Sequence, residues 1–188
     1  RPVPGGVVDK DELIAYLRWR TYLLGHPARR ENVRFKPPAI AAFQKPRSLA
    51  APQAPEVCRQ EIERLPAEQR LAQSGAQSVW QATAEQIPVV LREIGRLREL
   101  SFRAANEGTG KSEDLDRFDA IYLHLFIWNA EAAEIVAAYR VGATDRILES
   151  RGRKGLYTST LFDSRMEVFN RLGPALELGR SFVRPEYQ

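Results

Sequence analysis

Leu176-Glu177-Leu178-Gly179-Arg180-Ser181-Phe182-Val183-Arg184-Pro185-Glu186-Tyr187 reads as a short apolar strand. It carries a carboxylate and a guanidinium three residues apart and then stops at a proline. Strand side chains alternate between faces, so Glu177, Gly179 and Ser181 are expected on one face and Leu178, Arg180 and Phe182 on the other. Burying two opposite charges in an apolar strand is costly unless they are used. The glycine between them removes a side chain and lets a ligand or another backbone come close. A sheet ending on so apolar a strand would leave an open hydrophobic edge. The chain is therefore expected to be cut from a longer protein.

The 188 residues, 44% hydrophobic and 28% charged, are globular in composition. The single cysteine, Cys58, has no disulfide partner within the chain and no metal-ligand neighbours, so a reducing compartment and an inert thiol are expected. No signal-peptide pattern and no apolar run of about 20 residues is present, so a transmembrane class is excluded. The net charge of +4 is uneven, with 12 Lys and Arg against 7 Asp and Glu in residues 1–64 and 16 against 17 in the rest. Arg18, Arg20, Arg29, Arg30, Arg34 and Lys36 interleave with Trp19, Tyr22 and Phe35. That patch suits an anionic membrane surface or an acidic protein, or is a solvated basic segment. Nothing in the sequence marks a nucleic-acid reader.

Residues 9–24 read as a helix capped by Asp9, and the prolines between Lys36 and Glu56 as an extended linker. Beyond it the pattern predicts a helix over 56–64, a helical turn over 68–72 and a strand over 78–82. A long helix follows from Glu85 to about Ala105, then an acidic loop to Asp119. Strands over 121–128 and 134–141 form a tight hairpin; residues 142–155 read as a loop with a helical turn. A short strand over 157–162, a helix over 164–172 and the final strand complete the order. The expected fold class is α/β (α+β), a mixed, largely antiparallel sheet with flanking helices.

Arg140 at the end of a strand, together with Glu177 and Arg180, is the main candidate for chemistry. A carboxylate beside a guanidinium stays ionised and can orient an amine or take its proton. A structural salt bridge accounts for the same residues, and both readings stand. The run Glu113–Asp119 either holds a cationic substrate or is a solvated acidic surface. Arg98 and Phe102, four apart on the long helix, can face that loop. His124 among apolar neighbours reads as a packed, hydrogen-bonded residue. No metal-ligand spacing, phosphate loop or Ser-His-Asp grouping occurs.

With Arg98-x-x-x-Phe102, Asp116 and Asp119, Ala138-Tyr139-Arg140 and Leu156–Asp163, the terminal strand resembles the ornithine-lipid type N-acyltransferases of the GNAT superfamily. The same skeleton is similar to acyl-homoserine-lactone synthases. The likeness covers residues 56–188. Residues 1–35 look like the tail of a glycerolipid O-acyltransferase domain, as in bifunctional bacterial proteins labelled hemolysins, and residues 36–55 like the linker. The His-x4-Asp motif of such O-acyltransferases is absent, so none of their activity is assigned.

The resemblance implies a partial GNAT-like fold that moves a fatty acyl group from acyl carrier protein or acyl-CoA to the amine of ornithine or glycine in membrane-lipid synthesis. A lactone-type synthase and a non-catalytic carrier-protein or membrane adaptor are the alternatives. By the same resemblance Glu177 and Arg180 are catalytic. Arg98, Phe102, Asp116, Asp119 and Arg140 bind substrate or fix the site, and Gly179, Ser181, Phe182 and Val183 bind the donor. No bound cofactor or metal is expected, and the expected location is the cytoplasm or the inner face of the membrane.

Overall fold

A computed structural model describes residues 46–162, 169, 171 and 173–187. The predicted helix over 9–24, the basic patch and most of the 164–172 helix lie outside the described residues. Helix α1 (Pro55–Glu63) leads through a 3-10 turn into strands β1 (Arg70–Ser74) and β2 (Gln77–Ala82). Helix α2 (Pro88–Ala104) follows, then β3 (Leu123–Asn129), β4 (Glu134–Ala143), α3 (Thr144–Arg151) and, after short 3-10 turns, β5 (Leu176–Val183). The strands form one sheet in the order β1-β2-β3-β4-β5, and every pairing is antiparallel.

One face of this sheet packs on α1 and α2. Trp80, Ala82, Phe126, Trp128, Ile135, Ala138 and Phe182 meet Cys58, Ile62, Ile87, Val90, Ile94 and Leu97 in the main core. Each of the larger aliphatic and aromatic side chains among them gains roughly 1.5–3 kcal/mol on leaving water. On the other face Leu123, Tyr139, Leu178 and Val183 are exposed, so among the described residues that face is apolar and open. A second cluster of Phe118, Tyr122, Ile147 and Leu156 closes one end of the β3–β4 pair.

Two local devices place the loops that matter for the site. Helix α2 starts with Pro at its first position, where no amide is needed. Its next free amides are capped from α1, by Glu61, which accepts from Val89 N at 3.0 Å and Val90 N at 2.8 Å. In mid-helix, Gly95 has no side chain to hold off the acidic loop; a Cβ there would lie 2.7 Å from Leu115 Cγ. Asp114 N donates to Gly95 O at 2.9 Å, so the loop lies directly on the helix. Residues 46–54 run extended beside the same loop, with Arg47 N to Gly110 O at 2.9 Å and Ala50 N to Ser112 O at 3.0 Å.

Among the described residues the sheet is antiparallel, in keeping with the expected largely antiparallel α/β fold. Several local expectations need correcting. The predicted helical turn over 68–72 is a 3-10 turn only over Ala67–Gln69; from Arg70 the chain is β1, where Arg70 and Ala72 pair with Trp80 and Val79 and the register shifts at Leu71 between them. The predicted strand over 157–162 is a 3-10 turn, Tyr157–Thr160. Strand β4 runs on to Ala143, so Arg140 lies within it and not at its end. The alternation expected along β5 also breaks. Between the pairs Ala138↔Phe182 and Arg140↔Gly179 the register shifts, leaving Arg180 and Ser181 opposite Tyr139. Arg180 takes φ of 53°, a left-handed conformation that costs a non-glycine residue about 1–2 kcal/mol. This β-bulge re-aims the side chain. Arg180 and Glu177 consequently both turn toward the packed face, where each meets Tyr157.

Candidate active site

Three arginines from three elements converge on the acidic loop. Arg98 of α2 is 1% exposed. Its Nε donates to the Asp114 carbonyl at 3.0 Å and its Nη2 to Asp119 Oδ2 at 3.1 Å. Arg140 of β4, equally buried, donates from Nη1 to Asp116 Oδ1 at 2.7 Å and to Asp119 Oδ1 at 3.3 Å. Arg180 of β5 approaches Asp114 Oδ2 at 3.3 Å and Asp116 Oδ2 at 3.7 Å. Three positive and three negative charges therefore offset one another in a largely dry pocket, where an unpaired charge would cost several kcal/mol. The acidic run is not the solvated surface that its composition also allowed: Asp114 and Asp119 are buried.

Aromatic rings complete the enclosure. The Arg140 guanidinium lies 5.3 Å from the Tyr122 ring centroid and 5.2 Å from that of Tyr157, and Arg180 lies 5.3 Å from Tyr157 and 5.8 Å from Phe102. Such stacking suits a planar guanidinium. Burial raises the Asp116 carboxyl, but the Arg140 charge, the Phe118 amide and the Arg180 charge outweigh it and hold its pKa below the usual range. His124, packed under the cluster, places Nε2 2.9 Å from the Asp119 carbonyl. Burial lowers its pKa, Arg98 and Arg140 reinforce that, and Asp119 opposes it. The ring is therefore neutral at pH 7 and donates Nε2–H to that carbonyl. This agrees with a packed, hydrogen-bonded role.

Glu177 stands at the edge of the cluster with its own partners. Oε2 accepts from the Tyr122 phenol and from Tyr157 N at 3.2 Å, and Oε1 accepts from Thr158 N at 2.6 Å. Tyr157 N also donates to the Tyr122 oxygen at 2.9 Å. Gly142, paired with Glu177 across β4 and β5, makes this possible, since a Cβ there would lie 2.5 Å from the Tyr122 ring. A carboxylate has about four acceptor sites. Three are filled, which leaves Oε1 able to take one more donor.

The candidates divide into two groups. Arg98, Asp116, Asp119, Arg140 and Arg180 meet in one cluster beside Glu177. Arg98, Asp119 and Arg140 are each at most 3% exposed, and their charges are met within the cluster. Phe102, Ser181, Phe182 and Val183 instead line a cleft of about 470 Å³ with Ser101, Tyr139 and Tyr187. Sequence reading gave no individual role to Asp114, Tyr122, Tyr157 or Thr158, although Asp114 lies in the Glu113–Asp119 run and Tyr157 and Thr158 in the Leu156–Asp163 stretch. Among the described residues no group of His, Cys, Asp or Glu could hold a metal ion, and no helix is long and apolar enough to cross a membrane.

An open antiparallel sheet with flanking helices and a charged cluster at its last strand has the form of a GNAT-like α/β fold. Residues 97–188 match the family model described as "Acetyltransferase (GNAT) domain". Residues 97–188 are thus similar to such a domain, and the chain is similar to proteins named as glycine N-acyltransferases. It is 38% identical over 149 residues to "Glycine N(alpha)-acyltransferase" of Phocaeicola vulgatus, covering 74% of this chain and 44% of that protein. It is 42% identical over 124 residues to the protein of the same name from Bacteroides thetaiotaomicron, covering 63% of this chain and 37% of that protein. The chain thus spans less than half the length of these curated relatives. No solved structure matches it.

Proposed function

We propose that the protein of which this chain is part transfers a fatty acyl group from a thioester donor to the α-amine of glycine or a similar amino acid, in the synthesis of a membrane lipid. The observation that carries this reading is Glu177, a carboxylate held by three donors with one acceptor site left on Oε1. An acceptor amine donates to that site and gives up a proton, directly or through one water. The neutral amine then attacks the thioester carbonyl carbon; a C–N bond forms and the C–S bond breaks, the nitrogen's second proton passes to the departing thiolate, and the proton taken by Glu177 goes on to solvent. The names of the homologous proteins favour glycine over ornithine as acceptor.

Among the described residues β5 is the last strand of the sheet, and the 470 Å³ cleft runs alongside it. An acyl-carrier-protein or coenzyme A arm is proposed to add to that edge as a further strand-like segment, with Ser181, Phe182 and Val183 lining its path. The division into residues 1–35, 36–55 and 56–188 and a contact of the basic N-terminal stretch with anionic lipid or carrier protein belong to the same proposal.

The test is incubation of the full-length protein with glycine and a long-chain acyl thioester, on carrier protein or on coenzyme A, with mass spectrometry of the product. N-acylglycine is expected, and Glu177→Gln should lower kcat by about 10²–10⁴. No acylated amino acid with either donor overturns the reading, and an unimpaired Glu177→Gln removes Glu177 from the mechanism.

A further inference from the structure

We infer that the bare backbone at Gly179 is the floor of the acceptor subsite, where an amino acid places its carboxylate against Arg180 and Arg140 and its amine against Glu177. This rests on the acyl-transfer reading above. The glycine itself is the first observation. Gly95 and Gly142 are glycines because a Cβ would strike a neighbour, and Gly75 and Gly173 have positive φ. Gly179 has neither reason: its φ lies outside the left-handed range, and a Cβ built on it meets nothing within 4 Å. Its missing side chain leaves room on the packed face of β5.

The groups around that room form the second observation. Gly179 pairs directly with Arg140 across the sheet, and opposed residues have their side-chain positions about 5 Å apart. Arg140 engages the aspartates through Nη1, while Nη2, buried, has no hydrogen-bond partner among the described residues. A guanidinium N–H left unpaired in a dry site keeps its desolvation cost without a bond to offset it. Arg180, turned to this face by the bulge, also has an unpartnered Nε. Its side chain is 21% exposed against 1% for Arg98 and Arg140, so it is the guanidinium of the three that reaches solvent. Glu177 and Arg180 engage opposite ends of one residue, the amide and the phenol oxygen of Tyr157.

Charge selects the occupant. The three arginines and three aspartates balance, and Glu177 adds a negative charge beside them. Such a site has no surplus of positive charge for the phosphates of a thioester donor. A zwitterion, with a cation for Glu177 and an anion for Arg180, matches it without net charge. Gly179 is therefore assigned to the acceptor and not, as the family resemblance implied, to the donor.

Steady-state kinetics of the full-length protein with glycine and glycinamide test this. Loss of the carboxylate should raise KM for glycinamide about tenfold or more over glycine, the effect of losing a charge-assisted hydrogen bond. Gly179→Ala meets no atom within 4 Å and should fold; it and the larger Gly179→Val should raise KM for glycine stepwise while KM for the thioester stays within about twofold. Equal KM values for glycine and glycinamide, or a change confined to the thioester KM, overturn the subsite while N-acylglycine is still formed. Absence of any N-acyl product from the unaltered protein overturns the acyl-transfer reading itself.

Discussion

The Tyr122 phenol donates to Glu177 Oε2 across 55 residues of sequence, and the Tyr157 amide then donates to both oxygens. Burial and the adjoining carboxylate raise the Tyr122 pKa well above the ordinary phenol value. The phenol accordingly stays protonated and acts as a permanent donor. Tyr122 thereby fixes the rotamer of Glu177, and Glu177 fixes the turn that carries Tyr157 and Thr158.

Tyr122→Phe keeps the ring among Phe118, Ile147 and Leu156 but removes one donor from a carboxylate. The expected cost is about 1.5–3 kcal/mol, read as a lower urea midpoint with an unchanged slope. Acyl transfer by the folded variant should fall about tenfold or more, because Glu177 is no longer held in one geometry. A variant with wild-type midpoint and rate would show that the phenol does not position Glu177.

Arg140→Leu leaves Asp116 without its closest cation and weakens the hold on Asp119. Breaking a buried pair from one side costs about 3–5 kcal/mol, enough to unfold a marginal domain, and denaturant titration reads it. Arg140→Lys should recover little, because an ammonium cannot both span two carboxylates and stack on Tyr122 and Tyr157. Full recovery by lysine would mean that only the charge matters there.

Arg180→Gly separates backbone from charge. Glycine adopts φ of 53° freely, which relieves about 1 kcal/mol of strain, but it takes one cation from the buried Asp114, and breaking a buried pair from one side costs about 3–5 kcal/mol. Stability should therefore fall, by less than for Arg140→Leu, and catalysis should drop. Unchanged turnover would mean that the bulge, and not the guanidinium, is what the site requires.

Acid should weaken the fold from near neutrality. The folded His124 ring has its pKa depressed below the ordinary 6.5, so below that pH the unfolded chain binds the extra proton and the native state does not. Stability present above pH 6.5 is then lost as pH falls. Asp116, depressed below 3.8, contributes stability that persists above 3.8 and disappears at lower pH. Urea midpoints between pH 8 and 5 should decline, and His124→Gln should flatten that decline; an equally steep slope in the variant would assign it elsewhere.

Much of this was legible in the chain. The period of Val90, Ile94 and Leu97 marked α2, and the tight hairpin of β3 and β4 followed from apolar runs around Asn129-Ala130-Glu131. Arg98, Asp116, Asp119, Arg140, Glu177 and Arg180 stood out because charged residues beside apolar strands need partners. Strand β1 did not stand out, since its five residues are all exposed and owe their form to pairing with β2. The Tyr157 turn read as a strand because β-branched and aromatic residues fill it; the carboxylate of Glu177, bonded to two successive amides, bends it instead.

Which side chains carry charge, which faces are apolar and where glycine leaves the backbone bare can all be read along the chain. Alternation and helical period are local properties of the chain, and they survive whatever the rest does. Tertiary structure decided who pairs with whom. A bulge set by the register of β4 against β5 moved Arg180 to the side of Glu177, and a close approach at Gly142 brought Tyr122 to it. Both depend on contacts between residues far apart in sequence, whose distances no local pattern encodes.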